Sequence, residues 1–213
     1  MRFWSIPALM ISLGVAPVLQ AQDAHVGVAL NLSFPTGAFQ NTTYPANTSL
    51  GIPQQQEGYD VGLGAQCTIG FPVDPKVALR LNFCGQGSDG SNTAPGKDRI
   101  NLHHNIFSIG GEAEIYVGRG SAFRHRGTYL IGGISADFER FDRSFGDPNT
   151  DYTETSRKSR MGGTVGMGHS FGYDGGGRFT LETVFHKTLS GNDTGAGDPP
   201  STDFVKVGFG WVF

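Results

Sequence analysis

The last ten residues, 204–213, constrain the fold of this chain more than any other segment. Apolar side chains occupy every second position: Val205, Val207, Phe209, Trp211 and Phe213. The residues between them include Lys206, Gly208 and Gly210. Because successive side chains of a β-strand point to opposite faces, this pattern predicts a strand with one apolar face and one small or charged face. Such a strand suits a wall between lipid and a filled lumen, or the edge of a soluble β-sandwich.

Residues 1–21 predict an export signal. Arg2 is the only charged residue before Asp23, and an apolar run follows it and ends at Leu19-Gln20-Ala21. A positive start, a short apolar stretch and a small residue at its end are typical of a cleaved signal peptide. We therefore expect cleavage after Ala21, which leaves a single domain over 22–213.

No later segment approaches the roughly 20 consecutive apolar residues that a transmembrane helix needs. A chain without such a helix can still span a membrane if its strands close into a barrel, because lipid offers no hydrogen-bond partner to an open strand edge. Charged residues make up only 16% of the chain and hydrophobic residues 38%, while glycine is abundant at 33 residues. A barrel accommodates this composition, since its apolar surface faces lipid and it needs no thick apolar core.

Period-two segments recur along the rest of the chain and predict eight strands in all. Their expected bounds are 25–34, 60–71, 77–84, 101–117, 127–140, 159–173, 178–189 and 204–213. The connections between them are alternately long and polar, then short. This rhythm predicts an all-β fold, an eight-stranded antiparallel up-and-down transmembrane β-barrel with both termini at the short-turn end.

Over 22–213 the pattern resembles the small eight-stranded outer-membrane β-barrel family, which includes the OmpA transmembrane domain and OmpX. The resemblance rests on the alternation of strands and loops and on the terminal pattern Val205, Val207, Phe209, Trp211 and Phe213. It implies a location in the outer membrane of a Gram-negative-type bacterium, in contact with outer-membrane lipid. It also implies that the terminal pattern is an assembly signal for the barrel-assembly machinery.

Several inward positions of the predicted strands carry charge or histidine. They are Arg80, Glu112, Glu114, Asp137, Glu139, Arg160, Glu182, His186 and Lys206. An eight-stranded barrel is only wide enough for its own side chains, so we expect these residues to fill the lumen as a network of opposite charges. Counting back from the loop ends places Glu139 beside Arg160 and His186 beside Lys206.

The sequence favours a structural or surface-interaction role, with an extracellular ligand bound by the long polar loops. The alternative is a small, weakly cation-selective porin, because acidic residues outnumber basic ones among the inward positions. A lipid A-modifying esterase is a third and disfavoured hypothesis. Esterases of this architecture carry a His-x-Ser pair, whereas Thr188 stands two residues after His186.

The sequence predicts no catalytic residue, no cofactor and no metal ligand. A net charge of −3 without a basic stripe argues against nucleic acid as a partner. The two cysteines, Cys67 and Cys84, fall on opposite faces of their predicted strands. We therefore expect free thiols rather than a disulfide.

Overall fold

The structure is a computed structural model that describes residues 24–40, 42–44, 55–92, 100–147, 150–172, 177–189 and 201–213. The predicted signal peptide, the short turn predicted after residue 173 and parts of the long polar loops lie outside these ranges. Within the described ranges, no helix is both long enough and apolar enough to cross a bilayer.

Eight antiparallel strands of the described residues close into a barrel. They are β1 His25–Thr36, β4 Gly62–Asp74, β5 Val77–Asn92, β6 Ile100–Tyr116, β7 Gly127–Asp147, β8 Thr150–Gly172, β9 Arg178–Thr188 and β10 Asp203–Val212. Two short strands, β2 Thr42–Tyr44 and β3 Gln55–Glu57, form a separate sheet between β1 and β4. The order around the barrel is β1-β10-β9-β8-β7-β6-β5-β4, so the predicted eight-stranded up-and-down fold is confirmed.

The barrel closes where the first strand meets the last. Val28 lies opposite Trp211 and Leu32 lies opposite Val207 in the β1–β10 pair. Beyond β10, the Phe213 N–H donates to the carbonyl oxygen of Val26 at 2.9 Å. The hydrogen-bond ladder is therefore continuous around the wall, and neither β1 nor β10 presents a free edge.

The strands on one side of the barrel are longer than predicted. The segment 141–158 was predicted to be a loop, and that prediction is wrong: β7 and β8 continue through it as a hairpin, in which Asp147 pairs with Thr150. Likewise, β5 runs on past Cys84 to Asn92. Polar residues on both faces conceal the alternation there, because water on both sides removes the need for an apolar face.

This difference in length makes the wall uneven. The strands β5, β6, β7 and β8 have 16, 17, 21 and 23 residues, whereas β9 and β10 have 11 and 10. About 9–11 tilted residues suffice to cross a bilayer. The β7–β8 hairpin therefore extends about ten residues past the membrane-crossing part, roughly 30 Å along the strands.

Candidate functional site

Large apolar side chains point outward around the whole barrel. They include Leu30, Leu63, Ile109, Ile134, Val165 and Met167. Aromatic residues gather toward the short-turn end of this surface, where the Phe179 ring centroid lies 6.1 Å from that of Phe171 and 6.4 Å from that of Phe209. We call the whole surface the outward apolar belt. An apolar band bordered by aromatic residues is the exterior that a bilayer requires.

The inward face has the opposite character. On β6, Glu114 is 1% exposed while its neighbour Ile115 is 50% exposed. A soluble protein would bury the isoleucine and expose the carboxylate. The lumen between the strands is thus polar, and its side chains are the candidate functional groups of this protein.

Arg80 joins three carboxylates in the half of the lumen near the short turns. Its Nε donates to Glu112 Oε2 at 2.5 Å, and its Nη1 donates to Glu114 Oε1 at 2.9 Å. Its Nη1 and Nη2 also donate to the two carboxylate oxygens of Glu182, at 2.5 and 3.1 Å. We call Arg80, Glu112, Glu114 and Glu182 the Arg80 cluster.

Neutral side chains complete the hydrogen bonding of the Arg80 cluster. The Asn82 amide donates to Glu112 Oε1 at 3.0 Å, and the Tyr129 hydroxyl donates to Glu182 Oε1 at 2.8 Å. Buried charges are tolerated when they are paired and hydrogen-bonded in this way. The cluster nevertheless contains three carboxylates and only one guanidinium.

A second charged group, which we call the Asp137 cluster, lies toward the long-loop end. It consists of Asp137, Glu139, Arg160 and His186. Arg160 Nη1 lies 3.5 Å from Glu139 Oε2, and His186 Nε2 lies 3.0 Å from Asp137 Oδ2. The second contact becomes a hydrogen bond when Nε2 of His186 carries its proton. The two buried acids of β7, Asp137 and Glu139, thus each face a basic group from another strand.

Lys206, another buried cation of the lumen, contacts an amide. Its Nζ donates to Gln66 Oε1 at 2.6 Å. Its expected neighbour His186 lies opposite Phe204 instead, and the two rings stack with centroids 4.6 Å apart. The expectation that placed His186 beside Lys206 was therefore wrong by two residues. A shift of two preserves the face and changes only the neighbour, so alternation alone could not detect it.

Aromatic rings close the lumen at the long-loop end. Phe39, from the short 3-10 turn after β1, stacks on Tyr59 with ring centroids 4.5 Å apart. The inward His104 ring lies 4.9 Å from Phe39 and 4.4 Å from Phe141. We call these four residues the outer aromatic cluster. This cluster was not predicted, because Phe39 and Tyr59 lie in segments where the sequence predicts a loop.

The turn between β6 and β7 closes the opposite end. The Ala122 N–H donates to the carbonyl oxygen of Pro75 at 2.9 Å, and the Ser170 hydroxyl donates to the carbonyl oxygen of His125 at 2.6 Å. These bonds hold the turn against the neighbouring strands, so that His125 is buried next to Tyr116. Burial, aided by the charges of His25 and Arg178, lowers the pKa of His125 to about 3. His125 is therefore a neutral imidazole near neutral pH.

Little space is left between these layers. Two cavities in the lumen have volumes of about 20 Å³ each. One lies beside His25 and Glu182, and the other lies beside Glu112 and Lys206. Each has room for about one water molecule. Side chains of the described residues thus project into the lumen from the long-loop end to the short-turn end, with these small cavities between them.

Comparison with known proteins supports this architecture. No family model matches the sequence, and no curated protein matches it. Among solved structures, the outer membrane protein OprG from Pseudomonas aeruginosa is similar, with a TM-score of 0.56, 10% identity and coverage of 90% of this chain and 96% of that one. The chain has the fold of a small outer-membrane β-barrel.

Two further barrels are similar at lower scores. Ail, the attachment invasion locus protein of Yersinia pestis, gives a TM-score of 0.48 at 10% identity and covers 90% of this chain and 100% of that one. Neisserial surface protein A gives 0.43 at 10% identity, with 90% and 95% covered.

Two other expectations concern reactive side chains of this small barrel. Cys67 and Cys84 are free thiols on opposite faces of β4 and β5, as predicted. The hydroxyl of Thr188, two residues after His186, donates to the carbonyl oxygen of Thr202 at 3.2 Å. It is thus engaged with the backbone of the facing segment, and the position does not supply the serine of a His-x-Ser pair.

Proposed function

We propose that this protein is a closed outer-membrane barrel of a Gram-negative-type bacterium, with a structural and surface-interaction role. The observation that carries the proposal is the filled lumen. The outer aromatic cluster, the Asp137 cluster, the Arg80 cluster and the β6–β7 turn occupy it in succession. A barrel filled with its own side chains offers no path for solutes. Its accessible polar surfaces are then those outside the membrane.

The β7–β8 hairpin is the part best suited to surface interaction. It extends well past the membrane-crossing part and carries charged groups of both signs. Arg140 and Asp142, for example, form an ion pair at 2.8 Å. A hydrogen-bonded hairpin loses less conformational entropy on binding than a loose loop would. We propose that this hairpin, together with the long polar loops, contacts the extracellular ligand.

Location is tested by fractionating cells that express the full chain. We expect the protein in the outer-membrane fraction, with a migration on gels that changes when the sample is boiled. Folded transmembrane barrels resist detergent until they are heated, because the whole wall is one closed hydrogen-bonded sheet. Recovery in the soluble periplasmic fraction with unchanged migration would overturn the location.

A small cation-selective porin is the second candidate function, and one observation favours it. Among the buried charged residues that the structure describes, there are five acids against three arginine and lysine side chains. The acids are Glu112, Glu114, Asp137, Glu139 and Glu182, and the basic residues are Arg80, Arg160 and Lys206. An excess of carboxylates lining a pore would select cations.

Planar-bilayer recording separates the two functions. For a closed barrel we expect no regular single-channel steps from the refolded wild type, and none from Glu139→Ala. For a porin, the wild type gives steps with a cation-selective reversal potential, and Glu139→Ala reduces that selectivity. Regular cation-selective steps from the wild type would therefore overturn the proposal of a closed barrel and support the porin.

A further inference from the structure

Two histidines and one glutamate converge at the short-turn end of the lumen, beneath the Arg80 cluster. They are His25 at the start of β1, Glu114 near the end of β6, and His125 in the β6–β7 turn. One potential ligand atom from each lies within 4.8 Å of the other two. We propose that these three residues bind a divalent transition-metal ion, with Zn²⁺ the best fit. This goes beyond the proposed function, which needs no metal.

The geometry of the three side chains suits zinc. Glu114 Oε2 lies 3.7 Å from His125 Nδ1, and the His25 and His125 ring centroids are 4.1 Å apart. Ligand atoms about 2.1 Å from a tetrahedral zinc ion are roughly 3.4 Å from one another. Small side-chain rotations therefore bring all three atoms into place. Two histidines and one carboxylate form a recognised zinc ligand set, in which water takes the fourth position.

The hydrogen bonds already present direct both Glu114 and His125 toward one point. Arg80 engages Glu114 Oε1 and leaves Oε2 on the side of the histidines. The Tyr116 hydroxyl donates to Glu114 Oε2 at 3.0 Å and also bonds to His125 Nδ1. Because the hydroxyl has one proton, it accepts from His125 Nδ1 while it donates to Glu114 Oε2. The two atoms therefore converge on one point, and a zinc ion bound there would take the place of this hydroxyl bridge and of the Nδ1 proton. The bond from Arg80 to Glu114 Oε1 is of the kind that orients a metal ligand from outside.

The backbone fixes His125 in the same orientation. Its φ is 42°, which makes it the one non-glycine residue with positive φ among the described residues. The bond from the Ser170 hydroxyl to its carbonyl oxygen stabilises this uncommon conformation. The turn therefore holds the imidazole inside the barrel end rather than leaving it in solvent, where a surface histidine would lie.

The charge balance of the surroundings favours a cation. The Arg80 cluster contains three carboxylates and one guanidinium, which leaves a formal charge of −2 when all are ionised. Buried carboxylates are stable when they are paired or coordinate a metal. A divalent ion at Glu114 would supply the missing positive charge. Arg178 repels such an ion, but it is only partly buried, so water screens its charge.

Space for the ion is present at the same place. A lumen cavity with a volume of about 20 Å³ is lined by His25, Glu114 and His125. That volume holds about one water molecule, and a dehydrated divalent ion is no larger. The site thus combines ligands of the right type, excess negative charge and a cavity of the right size.

The test is isothermal titration of ZnCl₂ into the metal-free, refolded barrel in detergent, with excess Mg²⁺ present. We expect one Zn²⁺ per chain. His25→Ala, Glu114→Gln and His125→Ala should each weaken binding by at least about tenfold, since even outer partners of metal ligands change affinity by about 10–100-fold. Titration with Co²⁺ should produce visible absorption bands typical of tetrahedral coordination, and the same variants should lose them.

The matched control is His103→Ala. His103 is an exposed histidine on β6 beside Asp89, at the other end of the barrel. Its loss should leave the affinity unchanged. Heat-modifiable migration shows which variants fold. If His125→Ala does not fold, His25→Ala provides the result, because His25 is the first residue of its strand and only partly buried.

Two outcomes would overturn the proposal. One is the absence of stoichiometric Zn²⁺ binding to the folded wild type. The other is binding that folded His25→Ala and Glu114→Gln retain at full affinity. Neither outcome bears on the closed barrel, because conductance and fractionation are measured without added metal.

Discussion

Arg80 and Glu182 form a bidentate ion pair across the full width of the barrel. Arg80 lies on β5 and Glu182 on β9, and four steps separate these strands in either direction around the wall. The two hydrogen bonds measure 2.5 and 3.1 Å. The pair therefore fixes the distance between opposite walls as well as filling the space between them.

Removing the guanidinium should destabilise the barrel strongly. Arg80→Met leaves three buried carboxylates without their shared partner, and breaking a buried ion pair in this way costs about 3–5 kcal/mol. Urea unfolding of the refolded protein, followed by the heat-modifiable gel shift, measures the loss. Arg157→Met on β8 is the control, since that arginine is exposed. Equal midpoints for the two variants would contradict the role given to Arg80.

The lumen should not tolerate a methyl group at Gly168. A Cβ built there lies 2.5 Å from Cζ of Tyr129, whose ring is fully buried. Gly168→Ala should therefore destabilise the barrel by about 1–3 kcal/mol, as overpacking does. Gly132→Ala serves as the control, because a Cβ at Gly132 meets nothing within 4 Å. The two unfolding midpoints are compared in the same urea series, and the idea fails if Gly168→Ala unfolds at or above the midpoint of Gly132→Ala.

A charge within the outward apolar belt should be costly in lipid. Leu30 is 72% exposed and lies near the middle of β1. Leu30→Arg should cost about 2–4 kcal/mol in a bilayer if the residue lies near its midplane. Leu189 is similarly exposed but follows the end of β9, so Leu189→Arg should cost about 0–1 kcal/mol. Unfolding from phospholipid vesicles measures both, and similar costs would argue against a membrane around β1.

The terminal phenylalanine should matter for assembly more than for stability. The side chain of Phe213 is 72% exposed, while its backbone N–H bonds to Val26. Phe213→Ala keeps that bond, so the refolded variant should unfold near the wild-type midpoint. If the terminal pattern is an assembly signal, the amount of folded protein in the outer membrane should fall severalfold in cells. Phe123→Ala, at an exposed turn position, should change neither quantity. If Phe213→Ala assembles in the outer membrane as well as the wild type, Phe213 is not part of the assembly signal.

His125 should make the barrel less stable in mild acid. Its pKa is about 3 in the folded protein and 6.5 in an unfolded chain, so the unfolded chain binds the additional proton. The neutral His125 therefore contributes fully to the free energy of unfolding above pH 6.5, and this contribution is lost as the pH falls toward 3. The free energy of unfolding changes by at most about 1.4 kcal/mol per pH unit from this residue. His125→Asn tolerates the same positive φ but does not titrate. In the presence of a chelator, its unfolding midpoint should fall less between pH 7 and 4.5 than that of the wild type. If His125→Asn and the wild type show the same pH dependence of the unfolding midpoint, His125 does not contribute to the loss of stability in acid.

The alternation of side chains predicted much of the fold and part of the site. A period of two separates the lumen from the lipid, so the inward positions of Arg80, Glu114 and Glu182 could be read directly from the strands. Counting along the strands also placed Glu139 beside Arg160, and these two side chains lie 3.5 Å apart. Other neighbours could not be placed, because a shift of two residues leaves every face unchanged. That shift is the reason why His186 meets Asp137 and Phe204 rather than Lys206.

The ends of the lumen were beyond prediction for a different reason. Phe39 and His125 belong to connections, where no periodic pattern relates sequence to direction. Both turn back into the barrel through contacts with residues distant in sequence, such as Phe39 with His104 and His125 with Ser170. His25 could be placed inward by alternation, but its proximity to His125 depends on the closed structure.

The uneven height of the wall also has a practical use. A peptide inserted between Asp147 and Thr150 would follow the last backbone pair of the long β7–β8 hairpin, so hydrogen-bonded strands would support both of its ends. The inserted epitope would stand clear of the bilayer on one flank of the cylinder. This small chain could therefore serve as a carrier for displaying foreign sequences on a bacterial cell.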